Sequence, residues 1–127
     1  MEYIREGDKL CTRKDGLLHS YDDQPAVITD EGTQFWFRNG ERHRDNDLPA
    51  AIYWNGDQSW YQYGKVHRDN APATLTSEGS QYWYQHDVLH RDDGPAVIYP
   101  DGTGQWWVGG IHMKTEYYSS RTKSARK

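Results

Sequence analysis

The sequence predicts an all-β protein, an elongated or rolled antiparallel sheet of about four consecutive β-hairpin repeats. Three observations carry this. The prolines of four Pro-Ala pairs, Pro25, Pro49, Pro72 and Pro95, follow one another at 24, 23 and 23 residues, and the Gln-x-Trp tripeptides from Gln34, Gln58, Gln81 and Gln105 at 24, 23 and 24. Self-similarity at such a period marks a repeat architecture. Within each unit a short β-prone segment leads to a glycine turn, and no apolar run is long enough to form a core without help from neighbouring copies.

Residues 1–18 read as a half-repeat suited to capping: Asp15-Gly16-Leu17-Leu18-His19 matches Asn39-Gly40-Glu41-Arg42-His43, with a small or polar residue near Cys11-Thr12 where a tryptophan is expected. Terminal repeats are commonly atypical. Units then start near residues 19, 43, 67 and 90 and complete a repeat domain over 1–113. In each, the first strand opens with Pro-Ala, proline being tolerated at the first position of a strand. The turns Asp30-Glu31-Gly32, Trp54-Asn55-Gly56, Ser77-Glu78-Gly79 and Pro100-Asp101-Gly102 follow, each ending in glycine. A second strand carries Gln-x-Trp and further aromatics, so each unit is expected to be one hairpin followed by a His-Arg-Asp loop.

Alternation along the first strands puts Ala26 with Ile28, Ala50 with Ile52, Ala73 with Leu75 and Ala96 with Ile98 on one side, the expected inner layer. On the second strands Trp36, Trp60, Trp83 and Trp107 share the side of the glutamines. The ten tyrosines and six tryptophans serve a sheet with few long aliphatic side chains, and Tyr53, Tyr61, Tyr63, Tyr82, Tyr84 and Tyr99 make an aromatic strip whose hydroxyls and low side-chain entropy suit an interface.

The net charge of −4 is uneven. Residues 114–127, expected to be a partly disordered basic tail, hold five basic residues and one acid, leaving ten basic against eighteen acidic residues, or −8, in the repeat body. Such a body repels nucleic-acid phosphates, which counts against direct nucleic-acid binding, and favours a basic partner. No stretch is apolar enough to cross a membrane, and the N-terminal residues lack the apolar run of a signal peptide, so a cytoplasmic location is expected. The single Cys11 supports no internal disulfide. Two open sheet ends leave homo-oligomerisation through an end strand as an expectation.

The 23-residue hairpin period with its repeated His-Arg-x-x-Gly-Pro-Ala signature, over roughly residues 15–112, resembles the MORN-repeat class, and more closely the variant repeats of phage, bacterial and large-virus proteins. The resemblance implies a sheet of consecutive hairpins used to bind protein or lipid, with no activity of its own.

The His-Arg-Asp loops (His43, Arg44, Asp45; His67, Arg68, Asp69; His90, Arg91, Asp92) invite catalytic and metal readings. A kinase loop would need a glycine-rich phosphate loop and an Asp-Phe-Gly partner, neither of which is present. Histidines one repeat apart do not share a coordination shell, His86 and His90 being the one locally close pair. Catalytic sites break repeat symmetry, whereas these residues obey it. The loops are therefore expected to be structural: the aspartate closing an Asx-type turn, the arginine pairing with an acid of the adjacent unit, the histidine packing beside the tryptophans and donating to a backbone carbonyl. No catalytic residue, metal ligand or cofactor is expected. The function expected is a non-catalytic protein-interaction module, a phage- or virus-encoded modulator or inhibitor of a host protein such as a defence system, acting in the host cytoplasm. The alternatives are a binder of a sugar, nucleotide or choline-like cation on the aromatic platform, and a weak phosphoesterase built from histidine and aspartate.

Overall fold

In the computed structural model, which describes residues 2–118, every regular element is a β-strand. An antiparallel sheet of 11 strands runs in chain order, and four two-stranded hairpins accompany it. No helix among the described residues is long and apolar enough to cross a membrane.

Every unit but the last contributes to both structures, which corrects the expectation of one hairpin per unit. In the unit starting at His43, Ala51–Ile52 and Gln58–Ser59 pair within the long sheet, then Tyr61–Gln62 and Lys65–Val66 make a separate small hairpin. The second strand is not continuous because it turns a corner at tryptophan. Trp60 N–H donates across to the Ala73 carbonyl at 2.7 Å, while its own carbonyl accepts His67 N–H at 3.0 Å within the small hairpin. Trp36 does the same with Ala50 and His43, and Trp83 with Ala96 and His90. A residue whose two backbone bonds belong to different ladders is where a strand passes from one sheet to another. Neighbouring small hairpins are tied into a second row by Gly40 N–H to Leu18 O, Gly64 N–H to Arg42 O, Asp87 N–H to Val66 O and Gly110 N–H to Leu89 O, at 2.8 to 2.9 Å.

Turn chemistry sets both hairpins. In the long sheet the turn glycine is left-handed, as at Gly32 (φ 100°), whose N–H donates to Thr29 O at 3.0 Å. The small hairpins use two residues of positive φ, Asn39 (47°) and Gly40 (88°) being the pattern that matches strand twist in a two-residue loop. His86 (48°) and Asp87 (71°) adopt the same geometry without a glycine.

Ala26, Ala50, Ala73 and Ala96 are fully buried as expected, but their expected partners Ile28, Ile52, Leu75 and Ile98 are only half-buried. Buried instead are the side chains on the opposite side of the strand, Val27, Ala51 and Val97. Register explains it. Val27 and Ala51 flank Phe35, and Val97 lies beside Tyr82, so large rings shield small neighbours on the face opposite the expected inner layer.

At the first unit Thr12 takes the corner position, its N–H on Ala26 O at 2.8 Å and its carbonyl accepting His19 N–H at 3.1 Å, matching the small residue expected there. At the other end register puts Trp106, not the expected Trp107, in line with Trp36, Trp60 and Trp83: Gln105 O accepts Ala96 N–H as Tyr82 O accepts Ala73 N–H, and Lys114 lies 4.6 Å from the Trp106 ring. Here the strand Thr103–Val108 turns no corner but continues, with a bulge between Trp106 and Trp107, and pairs with Ile111–Tyr117. The expected boundary at residue 113 thus falls inside a strand, and Lys114 to Tyr117 belong to the sheet; residues 119–127 of the expected tail lie outside the described residues.

The corner tryptophans should dominate stability. Trp60→Ala is expected to cost about 3–5 kcal/mol, and Trp54→Ala, at an exposed turn position, within about 0.5 kcal/mol, both read from urea unfolding midpoints.

Candidate functional site

Two surfaces hold the residues singled out by sequence: the joints between units, where the His-Arg-Asp loops sit, and the aromatic strip.

The joints are built around arginine. Arg44 lays its guanidinium 3.8 Å from the ring centroid of Trp36 in the preceding unit, and Arg68 repeats the stack on Trp60 and Arg91 on Trp83 at the same distance. Arg44 Nε and Nη2 donate to the two carboxylate oxygens of Asp23 at 3.0 and 3.2 Å, and Arg68 to those of Asp47 at 2.8 and 3.2 Å. The remaining nitrogen donates to a proline carbonyl, Pro49 or Pro72. Each guanidinium thus has cation–π, bidentate ionic and backbone contacts together while largely shielded from water, conditions under which such pairs are strongest. The cross-unit acid pairing is as expected for Arg44 and Arg68. Arg91 departs from it, donating to Asp93 in its own loop at 3.1 Å.

The histidine and aspartate roles are corrected. His43 Nδ1 accepts the Tyr63 N–H at 3.1 Å, His67 Nδ1 the His86 N–H at 3.1 Å and His90 Nδ1 the Gly109 N–H at 2.8 Å. A donor facing Nδ1 requires a lone pair there, so Nε2 carries the proton and donates to an aspartate: Asp45 at 2.8 Å, Asp69 at 3.0 Å, with Asp92 at 3.2 Å from His90. The imidazole therefore accepts from backbone rather than donating to it, and the aspartate fixes the ring in place of closing an Asx turn. With both nitrogens engaged, none of these rings has a free lone pair to offer a substrate. His86 does not join His90; it stacks on His67 at 4.2 Å between centroids. Among the described residues no three His, Cys, Asp or Glu side chains gather as a cation-holding group.

The third joint is incomplete. Trp36 and Trp60 donate their indole N–H groups to the carbonyls of Asp23 and Asp47, both at 3.0 Å. Trp83 Nε1 has no partner, the buried side-chain donor so placed among the described residues. Leaving such a group unpaired costs about 1–3 kcal/mol. Cavities at the three joints measure about 230, 370 and 720 Å³, the largest lying beside Trp83 and Arg91. Asp23 and Asp47 went unnoticed in the sequence; the signal for them is the His-to-Pro spacing of six, six, five and five positions.

Five of the six tyrosines of the expected strip lie near one another. Tyr53 stands edge-on to Phe35 at 5.6 Å, and Arg42 lies 4.3 Å from the Phe35 ring and 5.4 Å from Tyr61, donating to the Tyr61 hydroxyl at 3.3 Å. Tyr82 is edge-on to Tyr99 at 6.4 Å, and Tyr84 lies within electrostatic reach of both Tyr61 and Tyr82. All five are half-buried. Burial, then neighbouring phenols, push the hydroxyls of Tyr53, Tyr82 and Tyr84 above the ordinary tyrosine range, keeping them protonated donors. Tyr63 is elsewhere. It occupies a turn at φ 49°, exposed, with its ring against His43 at 4.3 Å.

The joints make stability acid-sensitive. The His43 N–H, and then the Arg38 guanidinium, hold the Asp45 carboxyl below the usual carboxylate range, and Arg68 does so for Asp47. Burial, with Lys14 and Arg38 nearby, holds His19 below the usual imidazole range. All three bind protons more readily when unfolded. The His19 contribution is complete above about pH 6.5 and the aspartate contributions above about pH 3.9, each being lost as pH falls through the lower folded-state value. Thermal melts should show a midpoint that falls progressively as pH drops below about 6.5, and Asp45→Asn should flatten the fall in the carboxylate range.

Compared with known proteins, the chain matches no family model, no curated protein and no solved structure.

Proposed function

We propose that the chain is a non-catalytic protein-interaction module whose binding surface is the tyrosine face of Tyr53, Tyr61, Tyr82, Tyr84 and Tyr99. The observation that supports it is the run of these five half-buried tyrosines, from Tyr53 and Tyr61 beside Arg42 through Tyr84 to Tyr82 and Tyr99. Rigid amphipathic rings with protonated hydroxyls, and an arginine among them, are the residue types that interfaces concentrate. The acidic repeat body gives such a surface a preference for a basic partner, and association would then weaken with salt. In keeping with the MORN-like repeat signature, the partner we propose is a host protein, possession of which by an invading phage or virus would make this chain its modulator or inhibitor.

The test is retention of a partner by the tagged protein from a host extract, compared with Tyr61→Ser and Tyr84→Ser variants whose unfolding midpoints remain cooperative. The expected result is a stoichiometric protein whose measured affinity drops at least about tenfold in each variant, equivalent to about 1.4 kcal/mol. Unchanged affinity in folded variants would leave the tyrosines a structural role only.

A further inference from the structure

Two complete joints in this chain specify what the third one lacks. In each complete joint a single aspartate in the left-handed conformation, Asp23 or Asp47, both at φ 57°, serves two donors at once. Its carboxylate takes the arginine of the following unit through two bonds, and its main-chain carbonyl takes the tryptophan N–H. The loop from His67 to Pro72 is one residue shorter than that from His43 to Pro49. Asn70 (φ 59°) stands where Asn46 (φ 65°) does, and no residue stands for Asp47. One deletion therefore removes a carboxylate and a carbonyl together. What is left is the unpartnered Trp83 Nε1, Arg91 still stacked on Trp83 and bonded to Pro95 O but with Nε on the exposed Asp93, and a cavity of about 720 Å³ beside them.

We propose that this cavity is a binding site for a peptidyl aspartate, which would place its main-chain carbonyl on Trp83 Nε1 and its carboxylate on Arg91, supplying in trans what Asp47 supplies in cis. The class of ligand follows from the donors. An indole N–H and a guanidinium, set as in the complete joints, are spanned there by the carbonyl and side-chain carboxylate of one aspartyl residue. A glutamate is a methylene too long, a simple carboxylate lacks the carbonyl, and a basic residue keeps the carbonyl but has no side-chain acceptor for Arg91.

Three acids line the cavity, and two of them are already engaged. Asp69 is held by His67 and Asp92 by His90. Asp93 is the internal competitor for Arg91. Its side chain is 86% exposed, so its hold is that of a surface ion pair, which an incoming carboxylate with a second anchor can displace.

The site is separate from the tyrosine face, and its test uses a probe too short to span both. The full chain, labelled with ¹⁵N, is titrated with N-acetyl-aspartate amide and, in parallel, the asparagine, glutamate and lysine analogues, following the Trp83 indole N–H resonance identified with Trp83→Phe. The aspartate analogue is expected to move that resonance saturably and more tightly than the others. Asp93→Asn should strengthen binding by up to about fivefold, the most an exposed ion pair contributes. Inserting an aspartate between Asn70 and Ala71, which restores the longer loop, should abolish it. An unmoved Trp83 resonance at about 10 mM ligand, or tighter binding of the lysine analogue, would overturn the proposal whatever the tyrosine variants do. So would equal binding by wild type and a folded insertion variant.

Discussion

A guanidinium laid on an indole holds each unit to the one before it. Arg44, Arg68 and Arg91 reach back onto Trp36, Trp60 and Trp83, and the stack does more than add attraction. It fixes the indole plane beneath a charged lid, and the tryptophan so fixed is the residue at which the strand leaves the long sheet for the small hairpin. Without that corner the chain would be a flat ribbon of hairpins, with both faces in water and little apolar surface removed from it. The bend gives a chain of few aliphatic side chains its enclosed interior, in which Ala26, Ala50, Ala73 and Ala96 are fully buried and Trp36, Trp60, His43 and His67 nearly so.

Much of this was legible in the residues, though unevenly. The period and the left-handed turn glycines write hairpins directly, because only certain residues accept positive φ. The corner was not legible: Gln-Ser-Trp-Tyr-Gln reads as one uninterrupted strand, and the bend lies in where Trp60 sends its two backbone bonds, which side-chain alternation does not encode. The same blindness assigned Tyr63 to the face of Tyr61 two residues away, although it stands in a left-handed turn whose N–H is committed to His43. His-Arg-Asp was recognised as structural from its repetition, since an array repeats its own scaffolding. Its wiring required geometry, because an imidazole can donate or accept and only the Tyr63 and His86 N–H groups decide which.

The two surfaces differ in kind. The tyrosine face, the proposed binding surface, draws on several units at once, so its breadth depends on the array being long enough to line up Tyr53 through Tyr99. The joints are local, each complete within two adjacent units. A repeat protein can therefore alter one joint without disturbing its neighbours, because contacts reach no further than the next copy.

That locality gives the third joint its meaning. The chain builds the complete joint twice, so nothing in the unit's design prevents a third; the shortened loop lacks the one residue that satisfies both Trp83 and Arg91. A lysine or serine at the Asp47 position would have lost the carboxylate and kept the carbonyl, whereas a deletion loses both. The arginine finds a substitute in Asp93, at the solvent rim, but a buried indole N–H has no such recourse when its acceptor belonged to the backbone. In a protein whose interior is held by a few polar contacts rather than a large aliphatic core, one unpaired buried donor is a sizeable fraction of the net stability. A donor left in that condition, beside a guanidinium whose one carboxylate partner is an exposed one, is what the proposed aspartyl residue would satisfy with its pair of acceptors.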